Sequence, residues 1–415
     1  MESRLNIRLK KESSIDWLLL ISTLVLITFG LVSIYSAVYG SSIDTNFNKQ
    51  LISIIIGLSV LAVTIFIPDN IIRLISYPTY IASIILLIAV LFIGESVYGT
   101  KGWISLGGFN LQPAELAKIG CLMAIATYLS GKGKDIRTLR DLGVSLLIIL
   151  FPAALIFLQP DVGSASVLFA MFLGILFWTG FSSLFLYTII ISPILVVLSL
   201  KDMTWYYIGL GISSISMFFF KSKIYYIILS VIIFVSLGYL APMIYDNLMS
   251  HQQNRIDSFL DPDLDPQGAG YNVIQSKVAV GSGGIIGKGF LEGTQTQLRY
   301  IPMQWTDFIF SVPAEEFGLI GSALILMFYL ILLNRTLNIA FISEDRYFSI
   351  IAAGALFIFL YHIVINVGMV IGLMPVMGIP LPFMSYGGTS MIFNLILIGL
   401  LLNAYRTQIK RHRAN

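Results

Sequence analysis

Asp307 stands in the run Thr306-Asp307-Phe308-Ile309-Phe310, a carboxylate followed at once by three apolar residues. At the edge of a low-dielectric region such a group resists ionisation and its pKa rises. A carboxylate tuned in that way suits a general base that takes a proton from a hydroxyl. The bland account of the same residue is a helix start, where the dipole favours negative charge. Glu315 and Glu316 follow two to three turns on, about 12 Å deeper at 1.5 Å per residue. Glu315 falls nearer the Asp307 face and Glu316 roughly opposite, so one would complete a polar cavity while the other pairs elsewhere.

A second set lies upstream. Glu115 and Lys118 are three residues apart and share a helix face, either as a mutual ion pair or as part of a substrate cavity. Asp161 follows Gln159-Pro160 at a tight turn and suits an N-cap before Val-Gly-Ser-Ala, which does not exclude substrate contact. His362 and Asn366, one turn apart, read as interhelical hydrogen-bonding groups rather than ligands. The glycine-rich Gly281-Ser282-Gly283-Gly284-Ile285-Ile286-Gly287-Lys288-Gly289 fails the phosphate-loop pattern, with Ser282 and Gly289 at the wrong positions. Its flexible backbone and Lys288 would still suit a pyrophosphate. Asp261-Pro262-Asp263-Leu264-Asp265-Pro266 lacks calcium-loop spacing and reads as turns. The lone Cys121 excludes an intramolecular disulfide and multi-cysteine metal sites, and no metal cluster or nucleophile triad stands out.

The elements that position these residues are membrane spans. The 415 residues are 57% hydrophobic and only 11% charged, with mean hydropathy +0.88, against roughly 25% charged in soluble domains. That excludes a soluble enzyme, a secreted disulfide scaffold and a disordered chain, and a net charge of +3 points to no nucleic-acid partner. Runs of about 20 apolar residues predict an all-α polytopic membrane protein with about twelve transmembrane helices. They cover 16–38, 50–68, 75–94, 113–130, 142–158, 162–179, 183–200, 204–220, 223–244, 308–333, 347–373 and 382–404. Placing the N-terminus inside brings Arg4, Arg8, Lys10, Lys11, Arg73, the 132–140 cluster, Lys221, Lys223, Arg335, Arg346 and the 406–413 tail to the cytoplasmic side. Residues 245–307 then form a long outer loop, expected to be an ordered functional cap. Loop 95–112, with Lys101 and Trp103, joins it on the same face. Pro375, Pro380 and Pro382 with Gly387-Gly388 predict a broken entry to the last span, tolerated where backbone lines a cavity.

Four motifs carry a resemblance. They are Gln112-Pro113-Ala114-Glu115-Leu116-Ala117-Lys118-Ile119, Gln159-Pro160-Asp161-Val162-Gly163-Ser164, Thr306-Asp307-Phe308-Ile309-Phe310 with Ala314-Glu315-Glu316-Phe317-Gly318, and Pro382-Phe383-Met384-Ser385-Tyr386-Gly387-Gly388-Thr389-Ser390. In this order across nearly the whole chain they resemble the SEDS family (shape, elongation, division and sporulation). Asp265-Pro266-Gln267-Gly268-Ala269-Gly270-Tyr271, Gln275-Ser276-Lys277 and Gly293-Thr294-Gln295 look like its elongation branch rather than its division branch.

The resemblance implies a peptidoglycan glycosyltransferase of the bacterial cytoplasmic membrane that polymerises lipid II on the outer face, with both termini cytoplasmic. Asp307 matches the proposed catalytic base. Lys101, Glu115, Lys118, Asp161, Lys277, Lys288, Glu315 and Ser385 are the expected substrate-binding residues. Lys101, Lys118, Lys277, Lys288 and Arg299 are candidate cations for the leaving pyrophosphate, helped by a divalent ion (Mg or Mn). The implied partner is a class B penicillin-binding transpeptidase. The chain departs from the family in two places. The family usually has ten spans, so 183–244 is expected to hold an extra helix pair, and Met303-Gln304-Trp305 stands where Glu-x-His is common. A lipid II flippase and a non-catalytic elongation scaffold are the competing classes. The clustering of polar chemistry on one face and the lack of an internal repeat weigh against transport.

Overall fold

The computed structural model describes residues 13–40, 45–97, 100–107, 109–220, 222–248, 253, 256–257, 259–261 and 270–414. Arg4, Arg8, Lys10, Lys11, Lys221 and the stretch 262–269, which holds most of the Asp-Pro turns, lie outside the described residues.

Helices dominate because the apolar runs leave the backbone no water to bond, and a helix satisfies its own amides. The chain runs α1 (Trp17–Val38), α2 (Thr45–Phe66) and α3 (Asp69–Ile93), then strands β1 (Glu95–Val97), β2 (Thr100–Leu106) and β3 (Phe109–Leu111). Next come α4 (Pro113–Leu129), α5 (Leu139–Phe157), α6 (Val162–Trp178), α7 (Ser183–Lys201), α8 (Met203–Ser216) with a 3-10 turn, and α9 (Ile224–Asp246). The last third holds α10 (Tyr271–Ser282), α11 (Thr294–Gln297), α12 (Ser311–Glu316), α13 (Gly318–Ile342), α14 (Arg346–Val370) and α15 (Gly388–Ala414).

Among the described residues ten helices are long and apolar enough to cross a membrane, where the sequence predicts about twelve. The difference lies in α4 and α6, which fill the expected fourth and sixth spans with 17 residues each, about 25 Å at 1.5 Å per residue. Each is cut short by its own sequence. Gln112-Pro113 sets the start of α4. Pro160 (φ 31°) and Gly180 (φ 80°) bracket α6. The protein is not purely helical either. Loop 95–112 folds into an antiparallel sheet in the order β1-β2-β3, with Ile104 opposite Leu111 and Ser105 opposite Asn110.

A larger correction concerns the tenth span, expected at 308–333. It starts at Gly318, because that residue takes φ +62° and breaks the chain between α12 and α13. The long loop therefore extends through Glu316, and the straight-helix depth placed on Glu315 and Glu316 does not apply. The last span is likewise delayed from 382 to Gly388 by the Pro380–Gly387 turns.

The chain divides into two compact units. The first, residues 1–175 and 275–415, holds the sheet, α1 to α6 and α11 to α15. At one end of this bundle buried Asp16 pairs with Arg335 at 2.6 Å, Asp345 pairs with Arg73 and Arg411, and Arg346 donates to the Lys134 carbonyl. Of the basic residues expected on one side, Arg73 and Arg411 thus meet at Asp345, and Arg346 reaches the Lys134 segment. The second unit, residues 176–274, has its own core of Leu184, Leu195, Tyr206, Met217, Ile227 and Phe234 between α7, α8 and α9. Gly238 is required there, since a Cβ would lie 2.1 Å from the Tyr206 ring.

Candidate active site

Asp307 occupies a run of turns, residues 300–310, between α11 and α12. The side chain is half-buried, and the protein packed round it strips enough hydration to push its pKa up to about 6, with the like charge of Asp161 adding to the rise. Asp161 comes from the turn before α6. Its Oδ1 caps that helix by accepting from the Ser164 amide at 2.9 Å, and its Oδ2 accepts from Gln112 Nε2 at 3.2 Å. Capping therefore occupies one oxygen and leaves the other directed at Gln112, beside the start of α4.

Three backbone carbonyls fix the surroundings of Asp307. Asn366 Nδ2 donates to the Asp307 carbonyl at 2.7 Å and to the Ile379 carbonyl at 2.8 Å. One turn back on α14, His362 Nδ1 lies 2.9 Å from the Pro380 carbonyl. That carbonyl only accepts, so Nδ1 carries the proton and Nε2 presents its lone pair to Lys118 Nζ, 3.3 Å away. Lys118 also meets Glu115 at 2.8 Å, both nearly fully buried. His362 and Asn366 thus bond to neighbouring segments, as expected for interhelical groups. The broken entry to α15 closes the site: Tyr386 donates its amide to the Trp305 carbonyl at 2.9 Å, and Gln50 bridges the Ser385 carbonyl and the Gly387 amide.

Glu315 and Glu316 serve different networks. Glu315, with no exposed surface, accepts from Lys288 Nζ at 2.7 Å and from the amides of Gln295 and Thr296 at 2.9 Å each. It also accepts from the Thr294 and Thr296 hydroxyls. Burial resists its ionisation, but these donors prevail and hold its pKa below the ordinary carboxylate value. Glu316 meets Ser36 and Gln297, leaves Oε2 unpartnered, and has its pKa raised by burial. The glycine-rich loop packs on this break: Lys288 and Gly289 amides donate to the Glu315 and Glu316 carbonyls at 3.0 Å each. A Cβ at Gly287 (φ +91°) would lie 2.1 Å from the Glu316 carbonyl. The glycines permit close backbone approach to Glu315–Gly318, which is the use they have here.

The expected substrate residues therefore separate. Asp307 and Asp161 come together. Lys101, on β2, and Lys277, on α10, are exposed. Glu115 and Lys118 pair with each other, Lys288 and Glu315 do likewise, and Ser385 accepts from the Leu381 amide at 2.7 Å inside a turn. Sequence reasoning passed over Gln112, Asn366 as the holder of Asp307, and Gly378, whose Cβ would lie 3.5 Å from Asp307 Oδ2. The Gly378-Ile379-Pro380 punctuation beside an Asn-bearing helix was the available signal.

Comparison with known proteins follows this geometry. The chain matches the family described as "Cell cycle protein", which groups FtsW, RodA and SpoVE, over residues 16–209 and 184–410. It is similar to the peptidoglycan glycosyltransferase RodA of Treponema pallidum, 34% identical over 435 residues, covering 97% of this chain and 100% of the relative. It is also similar to the peptidoglycan glycosyltransferase MrdB of Escherichia coli K12, 33% identical over 394 residues, covering 94% and 93%. A chain solved in work on the coordination of polymerization and crosslinking by a peptidoglycan synthase complex superposes with TM-score 0.72 at 28% identity, covering 95% and 98%. The rod shape determining protein RodA of Thermus thermophilus shares the fold, with TM-score 0.59 at 24% identity, covering 95% and 97%.

Proposed function

The chain belongs to the FtsW, RodA and SpoVE family, and from that premise we propose how its site works. It is a multi-pass membrane protein and a peptidoglycan glycosyltransferase of the elongation type. Its substrate is lipid II, a disaccharide-pentapeptide on undecaprenyl pyrophosphate.

The observation that carries the mechanism is the Asp307 carboxyl, half-buried and raised to about 6 beside Asp161. A base is most effective with a pKa near the working pH. Asp307 takes the proton from the 4-hydroxyl of the acceptor GlcNAc as that oxygen forms a bond to C1 of the donor MurNAc. The C1–O bond to the pyrophosphate breaks on the opposite side, the electron pair leaves with the undecaprenyl pyrophosphate, and the α linkage inverts to β. The leaving group gathers negative charge, which preorganised cations stabilise. Lys101 is exposed on the sheet whose Asn110 accepts from Thr389 and whose flank carries Gln112, and Lys277 is exposed on α10; these two take that role, while Arg299 donates to the Tyr39 carbonyl. Lys118, Glu115, Lys288, Glu315 and Ser385 act by shaping the site, since their polar groups are already engaged.

Among the described residues no group of three or more His, Cys, Asp or Glu is placed to hold a metal ion. A divalent ion (Mg or Mn) at the leaving pyrophosphate would therefore have to take most of its oxygens from the substrate phosphates and water. The basic end of the bundle faces the cytoplasm with the termini, following the bias of Lys and Arg towards that side. The site then opens on the outer face of the bacterial cytoplasmic membrane. Residues 183–244 hold the helix pair added to the family's usual set, and a class B penicillin-binding transpeptidase crosslinks the product. Glycan formation from purified lipid II by wild-type protein and an Asp307→Asn variant tests the reading.

A further inference from the structure

We propose that Asn366 is a positioning residue for Asp307: its amide ties the Asp307 backbone to the Gly378–Pro380 strap and so sets where the carboxylate points. The proposal rests on the reading of Asp307 as base.

Asn366 is fully buried. Both groups it reaches, the carbonyls of Asp307 and Ile379, only accept, so its NH2 must face them and the orientation of the amide is fixed. Its Oδ1 has no partner, so the residue is held by these two bonds alone. The strap it grips is itself pinned. A Cβ on Gly163 would lie 2.2 Å from the Met377 carbonyl, which presses the strap onto the first turn of α6, just after Asp161. Pro380 is held by His362. Gly378, at φ +65°, brings the strap to the Asp307 carboxylate, where its Cβ would stand 3.5 Å from Oδ2. One residue of α14 thus registers two segments some seventy residues apart, with the Asp307 carboxylate on one and Gly378 beside it on the other. Breaking the bonds lets Asp307 slide relative to Asp161 and the substrate, and a 1 Å misplacement lowers a rate about 100-fold.

A buried asparagine that bonds carbonyls can be structural only, and Asn403 supplies the control. Its Nδ2 donates to the carbonyls of Thr64, Ile65 and Ile67 at 3.0, 3.0 and 2.8 Å, and it packs among α15 and the end of α2. The experiment measures lipid II polymerisation from pH 5 to 9, with the melting temperature of each protein, for wild type, Asn366→Leu, Asn403→Leu and Gly378→Ala. Asn366→Leu is expected to lower kcat about 100-fold with KM within about twofold, and to move the acidic limb of the profile to lower pH as Asp307 leaves its site. Gly378→Ala perturbs the strap from the other side and is expected to move kcat and the limb as well, which keeps the test informative if Asn366→Leu does not fold. Asn403→Leu is expected to lower the melting temperature and leave the limb in place. Wild-type kcat and limb in folded Asn366→Leu, or in folded Gly378→Ala, overturn the proposal. So does an equal fall in kcat for both asparagine variants with the limb unmoved. An Asp307→Asn protein that polymerises at the wild-type rate removes the base itself, a failure distinct from these.

Discussion

Lys118 Nζ lies 3.3 Å from His362 Nε2, and the opposite ring nitrogen of that histidine lies 2.9 Å from the Pro380 carbonyl. With Glu115 on the far side of the ammonium at 2.8 Å, four groups form one buried chain from α4 across α14 to the strap beside Asp307. Lys118 sits between a carboxylate and an imidazole, so its removal strands the buried Glu115.

Lys118→Met alone is expected to destabilise the protein by about 3–5 kcal/mol, the usual penalty for leaving one partner of a buried pair uncompensated. Adding Glu115→Gln removes the stranded charge and restores most of the loss. Thermal unfolding of the single and double variants in detergent checks this, and equal melting temperatures for the two would contradict it.

The two adjacent glutamates respond oppositely to pH. Glu315 has a folded pKa below its ordinary value, so its contribution to stability is present above that ordinary value and lost as pH falls through the folded one. Glu316 has a raised folded pKa, so its contribution is present at low pH and lost as pH rises through that value. An amide mimics a protonated carboxyl, so Glu316→Gln is expected to melt no lower than wild type at neutral pH, because it removes a carboxyl whose ionised form burial disfavours. Glu315→Gln loses the ion pair to Lys288 and melts well below wild type.

The break that carries these glutamates was hidden from hydropathy. Phe308 to Val312 reads as the start of a span, and only the positive φ of Gly318 shows that the helix begins later. Composition cannot tell a buried turn from a helix when both are apolar. What was legible was local. The unfavourable setting of Asp307 and the capping role of Asp161 both follow from neighbours in sequence. What was not legible was non-local. That Glu315 gathers Lys288, Thr294 and Thr296, and that Asn366 holds Asp307, depends on segments tens of residues apart.

The glycine loop yields a sharper expectation. Gly287 has φ +91°, and a Cβ there would lie 2.1 Å from the Glu316 carbonyl. Gly287→Ala is expected to cost at least about 1–3 kcal/mol from backbone strain alone, read by thermal unfolding. Gly284→Ala, with φ +57° but open space around it, is expected to cost less.

On the reading of Asp307 as the base, whose carboxyl is pushed up to about 6, the rate of polymerisation is expected to fall as pH drops through about 6. Removing the Asp161 charge makes ionisation easier, so Asp161→Asn is expected to move the acidic limb to lower pH. The move is smaller than the full distance to an ordinary aspartate, since burial is the larger cause of the shift. A limb that moves upward, or an unchanged limb, would contradict the coupling.

The most direct test of the central claim is glycan formation from purified lipid II by wild-type protein and Asp307→Asn, each with and without the transpeptidase partner. The account predicts a glycan ladder from wild type. It predicts none from Asp307→Asn at matched folding and partner binding. A ladder of equal strength from both proteins would remove Asp307 as the base and contradict the account.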